Sequence, residues 1–269
     1  MKEKTIEYDK HTFVICAYQE SLYLEECIAS LMAQKGLSHI IIVTSTPNKM
    51  IKECAEKYDL PLYINHGTTG IDGDWNFALE CANTPYVTIA HQDDYYDKLY
   101  SQKIMQAVDA TKHPLILFTN YAEIRNGEKV NISETLRIKR LLLLPLRCKF
   151  LQSFKFVRRR ILGLGNSICC PSVTYCVDNL QLPLFHKGME SNIDWEAWEK
   201  VSKQKGKFVY LNDILMYHRI HEESTTSKII GENKRSQEDL YMLCKFWPKW
   251  MAKLINHYYI RAEQSNYLE

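Results

Sequence analysis

Through the first 120 residues, short β-branched runs alternate with amphipathic stretches. The runs Thr12–Cys16, His39–Thr44, Pro61–Asn65, Tyr86–His91 and Leu115–Asn120 are bounded by turn-forming or polar residues, as strands are. After the first of them, Leu24, Cys27, Ile28 and Leu31 recur at helical spacing, with Ser21 as the expected cap and a stop near Gly36. Further helices are expected near Asn48–Tyr58, Gly73–Ala82 and Leu99–Thr111. Such alternation requires crossover helices packed on a mostly parallel sheet, so the expected fold class is α/β.

The rhythm changes after residue 120. A hairpin is expected around Asn126–Gly127, followed by a segment from Ile138 to Leu164 in which Lys139, Arg140, Arg147, Lys149, Lys155, Arg158, Arg159 and Arg160 stand among many Leu and Phe. Its longest uncharged run, Leu141 to Leu146, is far short of the roughly twenty residues that span a bilayer. The mixture suits an interfacial helix on anionic lipid or a surface receiving a lipid-linked or phosphate-bearing substrate, and equally an ordinary helix pair with solvated arginines. A helix from about Asp194 to Lys205, two strands over Lys207–His221 and a helical tail from about Glu232 complete the expected elements, with no internal repeat.

Composition narrows the class. The 269 residues are 46% hydrophobic and 25% charged, which excludes a disordered chain. A formal charge of +2 is too balanced for a protein whose main task is neutralising a nucleic-acid backbone, so no nucleic-acid partner is expected. Met1 to His11 contains no apolar segment, so no secretory signal and a cytoplasmic location are expected. Nine cysteines, mostly inside apolar runs, read as reduced buried thiols. Cys169, Cys170 and Cys176 lack the paired spacing of a zinc knuckle.

Ligands in open α/β sheets bind at the carboxyl ends of strands. This rule nominates Ala17–Glu20, Thr44–Thr46, His66–Asp74 and His91–Tyr95, and with them Ala17, Tyr18, Glu20, Thr44, Asp72 and Gln92. Asp93 and Asp94 close the fourth run. Two adjacent carboxylates there repel and are costly to desolvate unless a cation or donor groups offset them, which fits either a divalent metal or a solvated acidic turn. Asp194 sits at an expected helix start, which favours the ionised carboxylate that a general base needs; a plain helix cap has the same composition. In Tyr217-His218-Arg219-Ile220-His221, alternation puts His218 and Ile220 on one side and Tyr217, Arg219 and His221 on the other, where an imidazole could complete a metal shell or be structural. No phosphate-cradling glycine loop is present.

The order of these motifs resembles family 2 glycosyltransferases of the GT-A fold. Phe13-Val-Ile-Cys-Ala-Tyr18-Gln-Glu20 with Tyr23–Leu31, Trp75-Asn76-Phe-Ala-Leu79, Gln92-Asp93-Asp94, Ile193-Asp194-Trp195, and Arg219-x-His221 with Ser224 follow that family's sequence, over roughly residues 11 to 228. The resemblance implies a GT-A glycosyltransferase domain over 1–228, with a Rossmann-like mixed, mostly parallel sheet flanked by helices. It also implies an apolar and basic helical insertion at about 134–164, and leaves a C-terminal helical extension at 229–269. It implies that Asp93, with Asp94 and His221, holds Mg²⁺ or Mn²⁺ on a donor diphosphate. Ala17, Tyr18, Glu20, Thr44, Asp72, Trp75, Asn76 and Gln92 would line the donor pocket beside Asp93, and Asp194 would be the catalytic base of an inverting transfer.

The expected donor is a nucleoside-diphosphate sugar, with UDP the expected nucleotide. The expected acceptor is a saccharide or lipid-linked hydroxyl in bacterial polysaccharide assembly, at or near the inner membrane face, with self-association left open. Two departures stand out: Thr44-Ser-Thr-Pro47 replaces the family's Asp-Asp-Gly-Ser, and His91 replaces the first acid of the metal turn. They leave open a weak or inactive nucleotide-sugar-binding scaffold that partners another glycosyltransferase. A sugar nucleotidyltransferase would need an early glycine-rich loop, which is absent after Cys16.

Overall fold

The computed structural model describes residues 10–221 and 232–266. Ser224 and the expected domain boundary at 228 lie outside the described residues. Strands β1 (His11–Cys16), β2 (His39–Thr44), β3 (Leu62–Ile64), β4 (Tyr86–His91), β5 (Tyr95–Tyr96), β6 (Pro114–Arg125), β7 (Glu128–Val130), β8 (Val173–Cys176) and β9 (Lys207–Ile220) form one mixed sheet. Its order is β3-β2-β1-β4-β8-β6-β9-β5, with β7 paired to β6. β1 runs parallel to β2 and β4, while β8 inserts antiparallel between β4 and β6.

Alternation along β1 shows why both faces are covered. Phe13 and Ile15 pack with Leu24, Cys27, Ile28 and Leu31 of α1 (Leu24–Met32), with α2 (Lys49–Lys57) and with α4 (Tyr100–Asp109). Val14 points the other way, into a core shared with Ala78 and Leu79 of α3 (Ile71–Cys81) and Trp195, Trp198 and Val201 of α7 (Ile193–Ser202). That second core also takes Ile161 and Leu162 of α6 (Lys155–Leu162), Met242 and Leu243 of α8 (Glu232–Cys244) and Ala252 of α9 (Lys249–Asn266). Burying every residue of a strand on both faces is what a helix-covered parallel sheet demands.

Several expectations change. The fifth strand runs on to Arg125 and turns through Asn126 and Gly127, whose φ values of 50° and 82° suit Asn-Gly in a tight hairpin. The two strands expected over Lys207–His221 are one, because the polar pair Asn212-Asp213 is absorbed as a register irregularity opposite Thr119–Tyr121. β5 and β8 were not anticipated, being respectively too short and too uniformly buried to show alternation. α1 is preceded by Tyr23, and Ser21 Oγ instead accepts the Tyr23 N–H at 3.3 Å. The tail is two helices, since Pro248 cannot continue α8. All nine cysteines are unpaired, but Cys148 and Cys244 are exposed, contrary to uniform burial.

Candidate active site

β4 leads out of the sheet centre, so its end brings His91 and the following carboxylates to the carboxyl edge. There β9 returns beside β5 and closes the corner. Asp94 is fully buried; its Oδ1 accepts His218 Nδ1 and the Arg219 backbone N–H, both at 2.9 Å. Asp93 Oδ2 lies 3.0 Å from His221 Nε2. Arg219 donates from Nε to the Asp93 carbonyl at 2.9 Å and from its terminal nitrogen to Glu26 of α1 at 2.7 Å, with its guanidinium 4.3 Å from the Tyr23 ring centre. Burial alone would raise the Asp93 pKa, but the His221 hydrogen bond and the field of His91 and His218 hold it below the ordinary value. His218 is shifted upward: burial opposes its charge, and Asp94 more than offsets that.

Two atoms in this corner are buried without a hydrogen-bond partner among the described residues: His91 Nε2, and Asp94 Oδ2, which faces His91 Nδ1 at 3.8 Å, too far for a hydrogen bond. Orphaned polar atoms are costly in a protein interior and point to a missing partner. Ligand atoms offered by His91, Asp93 and Asp94 all lie within 4.8 Å of one another. Two carboxylates and an imidazole form a donor set that fits a divalent ion, Mn²⁺ at least as readily as Mg²⁺. His91 also stacks on Trp75, with ring centres 5.4 Å apart and 19° between planes.

The loop after β1 is fixed to this corner. The Gln92 side chain accepts the Tyr18 N–H at 3.0 Å and donates to the Tyr18 carbonyl at 2.8 Å. Ala17 is buried and bonds Val43, while Tyr18 and Glu20 face solvent. Thr44 is buried, its hydroxyl accepting the Thr46 N–H at 3.0 Å. The Asp72 side chain makes no hydrogen bond among the described residues. Its neighbour Asp74 is held instead by Ser45 at 2.7 Å and Asn65 at 2.8 Å, tying the ends of β2 and β3 to α3. The Asn76 amide is spent on the backbone of Leu184 and Phe185, which places it as a brace for that loop.

Asp194 lies in the first turn of α7, part-buried, accepting Asn166 Nδ2 and its neighbour Trp195 N–H, both at 2.7 Å. Burial raises its pKa; Asn166, the Trp195 N–H, Lys139 and His91 oppose the shift without cancelling it. Asn166, Asp74 and Glu26 are not nominated by the sequence as site residues, and Lys139 stands there only as one cation of the basic segment. No local pattern marks Asn166 or Lys139, whereas Asp74 lay inside the strand-end segment His66–Asp74.

A nine-stranded mixed sheet with helices on both faces, and an acidic corner at the end of its fourth strand, defines a GT-A type glycosyltransferase fold. Residues 12–175 match the family model described as glycosyl transferase family 2, and the chain belongs to that family. No curated protein matches the chain in a sequence search. Among solved structures, the chain is similar to S. aureus TarS 1–349 in complex with UDP-GlcNAc, with a TM-score of 0.65 and 17% identity over 92% of this chain and 70% of that one. It is also similar to the mannosyltransferase PcManGT from Pyrobaculum calidifontis in complex with GDP-Man and Mn²⁺, with a TM-score of 0.57 and 13% identity over 93% and 69% of the respective chains. At these identities the likeness concerns the fold.

Proposed function

We propose that this chain is an inverting, metal-dependent glycosyltransferase. It would move a sugar from a nucleoside-diphosphate donor, UDP-linked for preference, to a hydroxyl of a saccharide or lipid-linked acceptor in polysaccharide assembly at the inner membrane face. The carrying observation is the pair of buried atoms without a hydrogen-bond partner, Asp94 Oδ2 and His91 Nε2, in the corner that ends β4. The UDP-GlcNAc complex of TarS and the GDP-Man and Mn²⁺ complex of PcManGT support the donor class and the ion.

In this reading Asp93 and Asp94 hold the ion, with His91 and His221 beside them. When bound, such an ion supplies Lewis-acid stabilisation of the departing diphosphate. The chain does the rest. His218 and the Arg219 backbone N–H fix the Asp94 carboxylate, and the Arg219 side chain holds the Asp93 main-chain carbonyl, so that the corner need not reorganise during transfer. The loop Ala17–Glu20, Thr44 and Gln92 shape the nucleotide side, with Asp72 at its mouth. Trp75 packs on His91, and Asn76 holds the 184–185 loop behind it. Asp194 accepts the acceptor hydroxyl's proton, its raised pKa bringing it nearer the working range of a general base. The domain division at 228 stands as part of this proposal, α8 and α9 completing the core behind α7.

The test is incubation of the purified protein with UDP-, dTDP- and GDP-sugars, with and without Mn²⁺. Metal-dependent donor hydrolysis and a rise in Tm are expected. Asp93 Oδ2 already engages His221, which favours a second reading as a nucleotide-sugar-binding scaffold; a Tm shift with nucleotide and no turnover under any donor would select it.

A further inference from the structure

From Thr135 to Val177 the chain holds nine lysines and arginines and no aspartate or glutamate, within a protein of net charge +2. The structure sorts these cations. Arg158 is buried on the carbonyls of Gln204 and Gly206, Arg159 pairs with Glu199, and Lys139 turns inward to the Tyr121 hydroxyl at 2.9 Å. Arg137, Arg147, Lys149, Lys155 and Arg160 remain exposed, with no ion pair among the described residues.

Among them stand six exposed large apolar side chains: Ile138 (45%), Leu141 (63%), Leu144 (44%), Phe150 (71%), Phe154 (43%) and Phe156 (67%). Scattered exposed apolar residues need no explanation, but six within nineteen positions, two of them in ring contact at 4.9 Å, form a feature a soluble surface avoids. Helix α5 (Glu134–Leu143) shows the separation clearly. At 3.6 residues per turn, Leu136, Lys139 and Leu143 share its inner side, while Arg137, Ile138 and Leu141 project from the opposite one.

We propose that this face docks on the surface of an anionic lipid bilayer, its phenyl and leucyl groups entering the headgroup region and its lysines and arginines meeting the lipid phosphates. A second copy of the chain fits poorly, since a self-complementary contact would set five exposed cations, Arg137, Arg147, Lys149, Lys155 and Arg160, against their own copies. No helix among the described residues is long and apolar enough to cross the membrane, so attachment would be peripheral. On its inner side α5 is held to β6, Lys139 donating to the Tyr121 hydroxyl at 2.9 Å and Arg140 to the Tyr121 carbonyl at 3.0 Å, which leaves its opposite side free for the bilayer.

The experiment is flotation of the full chain with vesicles of phosphatidylcholine alone and of phosphatidylcholine mixed with phosphatidylglycerol, at low and high salt. Flotation is expected with the anionic vesicles only, weakening with salt. The F150S/F156S variant should bind at least tenfold more weakly, and K149Q and K155Q about fivefold more weakly each at low salt. Circular dichroism and Tm should match wild type, because these side chains are exposed. Donor hydrolysis in solution, measured separately, should be unchanged, so failure of docking and failure of the transferase reading are distinguishable. The proposal is overturned if the wild-type chain does not float with anionic vesicles at low salt, which would leave the face to an acidic protein. It is also overturned if F150S/F156S floats as wild type does, or if light scattering shows a wild-type dimer that this variant converts to monomer.

Discussion

Asp194 is where the proposed chemistry can be separated from folding. Asp194→Asn should lower transfer at least about 100-fold, the scale of a lost general base, while leaving donor binding intact. Because its folded pKa is raised, the folded state binds more protons than the unfolded one between the ordinary and raised values, and stability falls as pH rises through that window. The variant should therefore melt no lower than wild type at neutral pH. In wild type, kcat/KM should fall as pH drops through a midpoint above the ordinary carboxylate value of about 3.9, and that limb should vanish in the variant. Arg219→Lys tests the corner itself: an ammonium cannot reproduce the fork that joins Glu26 to the Asp93 carbonyl, so the Mn²⁺-dependent Tm rise should shrink. The acidic pair was legible because two carboxylates ending an apolar run are conspicuous. Spacing shows no partner for them: only the family resemblance set His221 beside Asp93, and their contact spans 128 positions, a distance over which no spacing rule operates.

Among the elements, the sheet carries a buried polar ladder beneath its apolar pattern. His11 Nε2 lies 2.9 Å from Thr88 Oγ1, which lies 2.7 Å from Thr174 Oγ1, while His11 Nδ1 meets Ser38 Oγ at 2.9 Å. Burial, helped by His39, lowers the His11 pKa from 6.5 to about 3. Between those values the unfolded state binds the proton that the folded state refuses, so stability is complete above about pH 6.5 and declines as pH falls, by up to about 1.4 kcal/mol per unit. Between about pH 7.5 and 5.5, urea unfolding should show wild type losing about 1.4 kcal/mol more than His11→Asn does, the opposing gain from His218 being common to both. Gly73 is equally specific: a Cβ there would come 2.1 Å from the Thr68 carbonyl oxygen, so Gly73→Ala should displace the 67–70 loop and weaken nucleotide binding, read as a higher donor KM. Periodicity located β1 to β4 and α1 to α4 but missed β8, because a short strand buried on both faces has no alternation to read.

At the scale of the molecule, the C-terminal helices reach back to the site. Glu238 of α8 accepts the backbone N–H groups of Glu190, Ser191 and Asn192 at 2.9, 2.9 and 3.2 Å, and Asp239 takes the Asn192 amide at 2.7 Å, just before α7 begins at Ile193. Burial pushes the Glu238 pKa up, but those hydrogen bonds outweigh it and hold it low. Its contribution is therefore full above the ordinary glutamate pKa and is lost as pH falls through the lower folded value. Glu238→Ala should cost about 1–3 kcal/mol and reduce kcat more than donor KM, since what moves is the start of the helix bearing Asp194. Urea unfolding and steady-state kinetics would check both.

By itself the sequence determined the strand–helix order from β1 to β4, the acidic turn ending β4 and the segregation of positive charge after residue 134, because each is written in neighbouring residues. Only the tertiary structure decided that β9 brings Arg219 and His221 onto Asp93, that α8 sets the position of Asp194, and which cations of the basic segment face water. The physical reason is range. Hydrophobic period and adjacent charge act over a few residues, whereas hydrogen bonds across the sheet edge and burial against a distant helix exist only once the chain has closed on itself.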